Sequence, residues 1–250
     1  MAQHLPYELK TAYEQKIIVG VDEVGTGCLA GPVAAAACIL PNFLPELWGA
    51  FKDSKKYGSL ELREMAADHV RRAALSYTVD WRSVDVVNDI GPRWAADAAM
   101  AGAVNVTIEK FLTLLGRGER AEQVNRRAIL VIVDGTRRLD LKWQQETCKR
   151  ADSKFMSVAA ASILAKVARD RFMVEAGQRD EYAPYGFVNN KGYYGGGRTH
   201  VEAISRLGLS PLHRVSLCRT ALRNQKLPWP GDLPTVAGSA PASSPQAPAA

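Results

Sequence analysis

Two strongly apolar segments of this chain each end in acidic residues. The first, residues 17–21, is followed at once by Asp22 and Glu23. The second, residues 128–133, is followed by Asp134. Continuous runs of β-branched residues are typical of strands covered on both faces, and acids placed where such strands emerge repel one another unless a cation offsets their charge. The two strand ends therefore predict a shared acidic site.

The expected placement of these acids favours a metal-dependent chemistry. If the two strands are parallel neighbours, they lie about 4.8 Å apart, and Asp22 and Asp134 project from adjacent carboxyl ends, where open α/β sheets place their sites. That arrangement suits two divalent cations about 3.5–4 Å apart, and ligands that are all carboxylates favour Mg²⁺ or Mn²⁺ over zinc. Asp152, at the predicted start of a long helix, could add a fourth carboxylate or could be only a helix N-cap.

Composition limits the class of protein. With 250 residues, 47% of them hydrophobic, the chain can form one large or two small globular domains. No apolar stretch approaches the roughly 20 residues that span a membrane, and the first residues lack the features of a secretory signal. The four cysteines have neither metal-type nor redox-type spacing, which predicts reduced thiols in a cytoplasmic protein. The excess of 32 Lys and Arg over 26 Asp and Glu is compatible with a polyanionic partner.

Apolar periodicity predicts one α/β domain over residues 1–226. Strands are expected at 17–22, 32–40, 75–82 and 128–134, and the short connection between the first two indicates an antiparallel hairpin. Helices are expected at 59–74, 94–115, 153–176, 199–207 and 214–223. Residues 227–250 are rich in Pro, Ala and Ser, which predicts a disordered tail.

A set of ordered motifs gives the chain a resemblance to a known family. The string GVDEVGTGCLAGPVAAA resembles the opening motif of ribonuclease HII, the type 2 ribonuclease H enzymes. The resemblance continues in family order, from about residue 17 to 222, through Asp53-Ser54-Lys55-Lys56, Val133-Asp134-Gly135, ADSKFMSVAAASILAKVARDR, Tyr185-Gly186-Phe187, Lys191-Gly192-Tyr193 and Leu212-His213-Arg214. One block alone would carry little weight, but the ordered set is highly specific.

The resemblance implies a fold and an activity. The expected fold is ribonuclease H-like: a mixed five-stranded sheet flanked by helices, with a C-terminal helical substrate-binding region. The expected activity is cleavage of the RNA strand of RNA–DNA hybrids and incision 5′ of ribonucleotides embedded in duplex DNA, leaving a 3′-hydroxyl and a 5′-phosphate. Asp22, Glu23, Asp134 and Asp152 match the family's four acids, which bind divalent Mn²⁺ or Mg²⁺ and so activate the attacking water. A monomer is expected, since nothing in the sequence suggests an interface.

The resemblance also implies contacts with the nucleic acid. Tyr193 matches a family tyrosine that stacks on the sugar beside the ribonucleotide, where a flat ring senses the sugar and leaves the base unread. Lys55 and Lys191 resemble family lysines that bind backbone phosphates. Arg214 belongs to a basic C-terminal stripe that is expected to give sequence-independent, salt-sensitive affinity.

One loop departs from the family pattern. Gly25, Thr26 and Gly27 stand where the family usually carries Gly-Arg-Gly, and family enzymes read the ribonucleotide's 2′-hydroxyl with the backbone of this loop. Both glycines remain, so close backbone approach is expected to survive. The missing arginine removes a planar cation suited to phosphate. We therefore expect weaker substrate binding or an altered preference for single embedded ribonucleotides.

Several residues also have simpler interpretations. Asp134 before Gly135 could be a turn residue that ends a strand. His213 is expected to pack or cap, and His200 to be solvated. Cys28 is expected to be a small buried hydrophobe.

Two alternatives from other functional classes remain at this stage. A catalytically silent RNA–DNA hybrid-binding module would share the fold, although the presence of all four acids argues against it. A dinucleotide-dependent oxidoreductase is suggested by the glycine-rich loop after a strand and by Asp53 some twenty residues later. Against the oxidoreductase, Asp22 and Glu23 would repel a pyrophosphate, and Pro32 opens a β-like run in place of the helix that should hold that group.

Overall fold

The computed structural model describes residues 16–41, 60–115, 128–193 and 198–229. Asp53, Lys55 and the predicted tail beyond residue 229 lie outside the described residues. The described strands are β1 (Ile17–Val24), β2 (Val33–Ile39), β3 (Ser76–Arg82), β4 (Ile129–Asp134) and β5 (Gln144–Cys148). The described helices are α1 (Leu60–Ala73), α2 (Val84–Ile90), α3 (Pro92–Leu114), α4 (Met156–Gly177), α5 (Phe187–Asn190), α6 (Arg198–Leu207) and α7 (Val215–Asn224).

The strands form one mixed sheet in the order β3-β2-β1-β4-β5. Strand β1 pairs antiparallel with β2 and parallel with β4, and β4 pairs parallel with β5. The predicted α/β class, the hairpin and the five-stranded mixed sheet flanked by helices are confirmed.

The packing of β1 explains why its first five residues carry no polar side chain. Val19 packs in a cluster with Ala103 and Val104 of α3, whereas Ile18 packs in a second cluster with Val158 of α4. Successive side chains of a strand point to opposite faces, so helices cover both faces of the sheet. Gly20 lies so close to α4 that a Cβ atom there would overlap the backbone of Ser157, which brings this helix tightly against the strand.

Contacts divide the described residues into two compact units. Unit 1 comprises residues 16–24, 34–41, 60–80, 96–115 and 128–168, and it contains most of the sheet. Unit 2 comprises residues 25–33, 81–95, 169–193 and 198–229, and its apolar cluster includes Leu29, Phe187, Ile204 and Leu222. The boundaries 1–226 and 227–250 proposed from the sequence stay predictions.

Strand β5 and the short helices α2 and α5 have no counterpart in the sequence prediction. Strand β5 has a single buried residue, Gln145, and lies at the sheet edge, so it has no apolar signal. Helix α2 spans only seven residues. Its start does carry a signal, since Ser83 accepts a hydrogen bond from Val86 N–H as an N-cap.

Candidate active site

Asp22 and Asp134 lie at the adjacent carboxyl ends of two parallel strands. The ladder pairs Val21 of β1 with Val133 of β4, so Asp22 and Asp134 are the next residues on neighbouring strands. This confirms the predicted parallel pairing of the two strands. The acids therefore stand at the sheet edge where α/β proteins assemble their sites.

The environment of Asp22 strongly disfavours an unbalanced negative charge. Only 7% of this residue is exposed. Burial raises the pKa of Asp22 well above its ordinary value, and the nearby carboxylates of Glu23 and Asp134 raise it further. Two hydrogen bonds act in the opposite direction, one from the Ser162 side chain and one of 2.8 Å from the backbone N–H of Glu23 to Oδ1. A cation close to Asp22 would offset these effects and stabilise its negative charge.

Asp134 fixes the segment that carries Asp152. The backbone N–H of Ala151 donates a 2.7 Å hydrogen bond to Asp134 Oδ1. Ala151 begins a single 3₁₀ turn, Ala151–Ser153, and Arg150 before it has a left-handed conformation with φ of 56°. Helix α4 begins only at Met156, so Asp152 is not the N-cap of the long helix. Asp152 is half-buried within the turn that Asp134 anchors.

The acids have the right donor chemistry for a hard divalent cation. Within the four described ranges, no group of three or more His, Cys, Asp or Glu side chains is arranged closely enough to hold a metal ion. The fit therefore rests on pairwise relations, namely the adjacent strand ends and the mutual repulsion of Asp22, Glu23 and Asp134. Oxygen-only ligands of this kind suit Mg²⁺ or Mn²⁺.

The glycine-rich loop that follows β1 belongs to unit 2 and is held by two arginines. Gly25 has a φ of 97°, and a Cβ atom there would overlap the side chain of Arg169. Arg169 Nε and Nη2 donate to the carbonyls of Pro32 and Ala30 at 3.0 and 2.7 Å. The loop is thus built around the guanidinium, which requires glycine at position 25.

Arg214 holds the same loop from a second side. Its guanidinium donates to the carbonyls of Gly25, to Thr26 at 3.2 Å and to Gly31 at 2.7 Å. Arg214 is 0% exposed, so the structure does not fit the predicted direct contact with substrate. Its hydrogen bonds are to carbonyls of the protein. The other basic residues of the C-terminal stripe are exposed: Arg198, Arg206, Arg219, Arg223 and Lys226.

Tyr193 lies beside this loop. An isolated bridge pairs its backbone with Cys28, which is 1% exposed, as expected for a buried hydrophobe. The Tyr193 ring faces the guanidinium of Arg169 at 4.9 Å, and its hydroxyl lies 3.4 Å from Asp170 Oδ1. Burial raises the pKa of Tyr193, so the phenol is neutral at neutral pH. The ring is therefore placed by the same arginine that holds the loop.

Lys191 has a more local environment than expected for a phosphate contact. It has a φ of 50°, and its ammonium donates to the carbonyls of Val188 and Asn189 at 3.3 and 3.1 Å. An ammonium has three donors, so one N–H remains beyond these two bonds. The backbone carbonyl of Lys191 accepts a 3.1 Å hydrogen bond from Arg169.

The expectation that His200 is solvated is wrong. His200 is 1% exposed, and its Nε2 lies 3.2 Å from Nε2 of His213, which is itself buried. The Ser210 backbone N–H donates to His213 Nδ1 at 2.9 Å, so that nitrogen carries no proton. Burial lowers the pKa of His200 to about 4 and that of His213 to about 3. The pair is neutral and serves packing, as expected for His213.

The sequence prediction gave neither Arg169 nor Ser162 a role at the site. Both lie on α4 within the string ADSKFMSVAAASILAKVARDR, seven residues apart. That spacing returns to the same face of a helix, and the face is apolar. A polar side chain on an otherwise apolar helix face indicates a buried group that must find a hydrogen-bond partner, and this signal was present in the sequence.

Sequence comparison settles the family of the chain. The family pattern described as Ribonuclease HII matches residues 19–220. The chain belongs to the ribonuclease HII family. It is 39% identical over 201 residues to ribonuclease HII of Syntrophotalea carbinolica, covering 80% of this chain and 84% of that protein. It is 36% identical over 208 residues to ribonuclease HII of Caulobacter vibrioides, covering 83% and 87%.

Solved structures of ribonucleases of this type share the fold of this ribonuclease HII family member. Ribonuclease HII in the PCNA complex from Archaeoglobus fulgidus superposes with a TM-score of 0.60 at 22% identity, covering 87% of this chain and 100% of that one. Bst ribonuclease HIII in complex with Mn²⁺ gives a TM-score of 0.62 at 22% identity, covering 90% and 76%. At this identity the likeness shows the fold.

Family membership confirms the predicted enzyme class. The protein is a metal-dependent type 2 ribonuclease H, an endoribonuclease that cleaves the RNA strand of RNA–DNA hybrids. This favours the enzyme over both the silent binding module and the oxidoreductase. No described helix is long and apolar enough to cross a membrane.

Proposed function

We propose that Asp22, Glu23, Asp134 and Asp152 together form the catalytic metal site of this ribonuclease. The observation that carries the proposal is the adjacency of Asp22 and Asp134 at the ends of two paired strands, with Asp22 buried. Two divalent ions, Mg²⁺ or Mn²⁺, fit the oxygen-only donor set. When bound, such ions lower the pKa of the attacking water and offset charge on the leaving oxygen.

The protein's own groups supply orientation. Asp22 is held by the Glu23 N–H and by Ser162, and Asp134 is held by the Ala151 N–H. Fixed carboxylates present their oxygens without rearrangement at the moment of reaction. We propose hydrolysis of the phosphodiester that leaves a 3′-hydroxyl and a 5′-phosphate, with no covalent nucleophile on the enzyme.

We further propose that the enzyme incises duplex DNA on the 5′ side of an embedded ribonucleotide. Loop residues Gly25, Thr26 and Gly27 would contact the 2′-hydroxyl, and the Tyr193 ring would stack on the adjacent sugar. In support, Gly27 is exposed, and no atom lies within 4 Å of where its Cβ would be. A nucleotide can therefore approach the backbone closely at this point.

Metal binding tests the site separately from catalysis. Calorimetric titration of the protein with Mn²⁺ and with Mg²⁺ is expected to give saturable binding that Asp22→Asn and Asp134→Asn each weaken, while Asp140→Asn leaves it unchanged. Asp140 is an exposed acid on the segment after β4 and is a matched control. Unchanged binding in the first two variants would contradict the assignment. The monomeric state and the cytoplasmic location stay predictions, the former checked by light scattering.

A further inference from the structure

Two guanidinium groups are buried in unit 2 without reaching the surface. Arg169 and Arg214 are each 0% exposed. Their donors go to backbone carbonyls: those of Ala30, Pro32 and Lys191 for Arg169, and those of Gly25, Thr26 and Gly31 for Arg214. Burying a cation is expensive, and packing alone would be served as well by an apolar side chain. The shared target of the two side chains is the loop from Gly25 to Pro32.

The bonds from Arg214 determine the direction of two peptide groups. The carbonyl of Gly25 belongs to the same peptide unit as the N–H of Thr26, and the carbonyl of Thr26 to the same unit as the N–H of Gly27. These peptide bonds are trans, since the described chain has no cis peptide. In a trans unit the C=O and N–H groups point in opposite directions. Both carbonyls point at Arg214, so both N–H groups point away from it.

These two N–H groups differ from the rest of the loop. The N–H groups of Cys28, Leu29, Ala30 and Gly31 are bonded to carbonyls of Gly25, Gly192 and Leu212. Neither the N–H of Thr26 nor that of Gly27 has an acceptor in the part of the chain that the structure describes. Thr26 is half-exposed and Gly27 exposed. The loop therefore presents two consecutive donors to an oxygen atom outside the protein.

We propose that Arg214 is a positioning residue for ribonucleotide recognition, which directs the N–H groups of Thr26 and Gly27 outward by binding the two carbonyls behind them. Arg169 secures the other half of the loop and the Tyr193 ring. Burial and the neighbouring Arg169 charge lower the pKa of Arg214 only to about 10, so it stays a cation at neutral pH. The inference rests on the proposed reading of the 2′-hydroxyl by this loop.

Lysine in place of Arg214 separates positioning from charge. Arg214→Lys keeps the cation but loses the planar fork that reaches Gly25, Thr26 and Gly31 together. The control is Arg223→Lys, an exposed arginine on α7. Both are made in an Asp134→Asn background to prevent cleavage. Dissociation constants are measured for an all-DNA duplex and for the same duplex with one ribonucleotide.

We expect the background protein and the Arg223→Lys control to prefer the ribonucleotide-containing duplex. In Arg214→Lys the preference for the ribonucleotide-containing duplex is expected to be about tenfold smaller, which corresponds to the loss of one or two hydrogen bonds. Its dissociation constant for the all-DNA duplex is expected to change less than about twofold. A structural role alone would lower the melting temperature but leave the preference of the folded protein unchanged, and that result would overturn the proposal. No preference in the background protein would instead overturn the proposed function, and this inference with it.

A measurement on the Asp134→Asn protein, with Arg214 intact, covers the case in which Arg214→Lys does not fold. NMR-detected amide exchange is expected to show fast exchange at Thr26 and Gly27 and slow exchange at residues 28–31. The Thr26 and Gly27 amides are expected to become protected only with the ribonucleotide-containing duplex. Protection of these two amides in the free protein, or exchange at residues 28–31 as fast as in an exposed turn, would overturn the proposal.

Discussion

The backbone N–H of Ala151 donates a 2.7 Å hydrogen bond to Oδ1 of Asp134. This bond joins the end of a central strand to the 3₁₀ turn that carries Asp152. One acid of the candidate site thus fixes the segment that presents another. Asp22 and Asp134 are 112 residues apart in the sequence, and the parallel pairing of β1 with β4 makes them neighbours in the sheet.

Asparagine at position 134 is expected to abolish cleavage without unfolding the protein. The amide Oδ1 of Asn can still accept the Ala151 N–H, so the melting temperature should change little. The charge needed to hold a divalent cation is lost, and we expect activity to fall by at least about 10²-fold. Cleavage of a labelled hybrid and binding to it are measured together, with Asp140→Asn as control. Retained cleavage would remove Asp134 from the catalytic set.

Asp22→Asn is expected to stabilise the metal-free protein while inactivating it. The folded-state pKa of Asp22 is raised, so its contribution is favourable below the ordinary carboxyl pKa and is lost as pH rises through the folded pKa. At neutral pH, replacing this ionisable group by an amide should therefore raise the melting temperature, by about 2–4 °C for each kcal/mol gained. Thermal unfolding in chelator checks this. A lower melting temperature at pH 7 would contradict the electrostatic account.

Added Mg²⁺ or Mn²⁺ is expected to stabilise the unsubstituted protein and to stabilise Asp22→Asn much less. Binding to the folded state alone raises stability by mass action. Equal shifts in both proteins would place the metal elsewhere.

The buried histidine pair is expected to make the protein sensitive to mild acid. The folded pKa values of His200 and His213 are lowered to about 4 and about 3, so their contribution is complete above the ordinary pKa of 6.5 and is lost as pH falls towards the folded values. At pH 5 this amounts to about 2 kcal/mol for each histidine. Unfolding from pH 7.5 to 5 should be less pH-dependent in His200→Gln than in His69→Gln, an exposed control. Identical pH profiles would contradict this.

Arginine at position 26 is expected to strengthen substrate binding. Thr26 is half-exposed, so the longer side chain can extend outward and offer a planar cation to phosphate. We expect a lower KM for a duplex with one ribonucleotide, with metal-dependent chemistry unchanged. Thr113→Arg, at an exposed position of α3, controls for added charge. Equal rates and equal junction preference in Thr26→Arg and the unsubstituted protein would contradict the role given to this loop.

Alanine at position 27 is expected to impair substrate binding without destabilising the fold. No atom lies within 4 Å of the added Cβ, and Gly27 is not among the residues with positive φ. The methyl group would stand where the nucleotide must approach the outward N–H. Melting temperature and KM are measured together. A normal KM would show that the substrate does not approach this position closely.

The sheet centre could be predicted because its signal is local. The strands β1 and β4 have apolar runs because helices cover both faces of the sheet. Because the two strands run parallel, the acids that follow these runs lie at the same edge of the sheet. Strand β5 could not be predicted, since an edge strand of polar residues has no such run. Its position depends on pairing with β4.

The arginines show the limit of motif reasoning at the site. The excess of basic residues after Arg198 places Arg214 in a basic stripe, and charge alone suggests that such a residue lies at the surface. The structure buries it because four carbonyl bonds to the loop 25–31 replace its hydration. Such long-range bonds have no signature in local sequence. The prediction that His200 is solvated is wrong for the same reason, because its partner His213 lies on another segment of the chain.

The most direct test is cleavage of a labelled DNA duplex carrying one ribonucleotide, with Mg²⁺, with Mn²⁺ and with chelator, and with the cut position mapped. We expect a metal-dependent cut on the 5′ side of the ribonucleotide that leaves a 3′-hydroxyl, and we expect no cut with Asp134→Asn. Cleavage of a long RNA–DNA hybrid but not of this duplex would contradict the proposed reading of a single ribonucleotide. Cleavage that persists in chelator would contradict the four-carboxylate metal site itself.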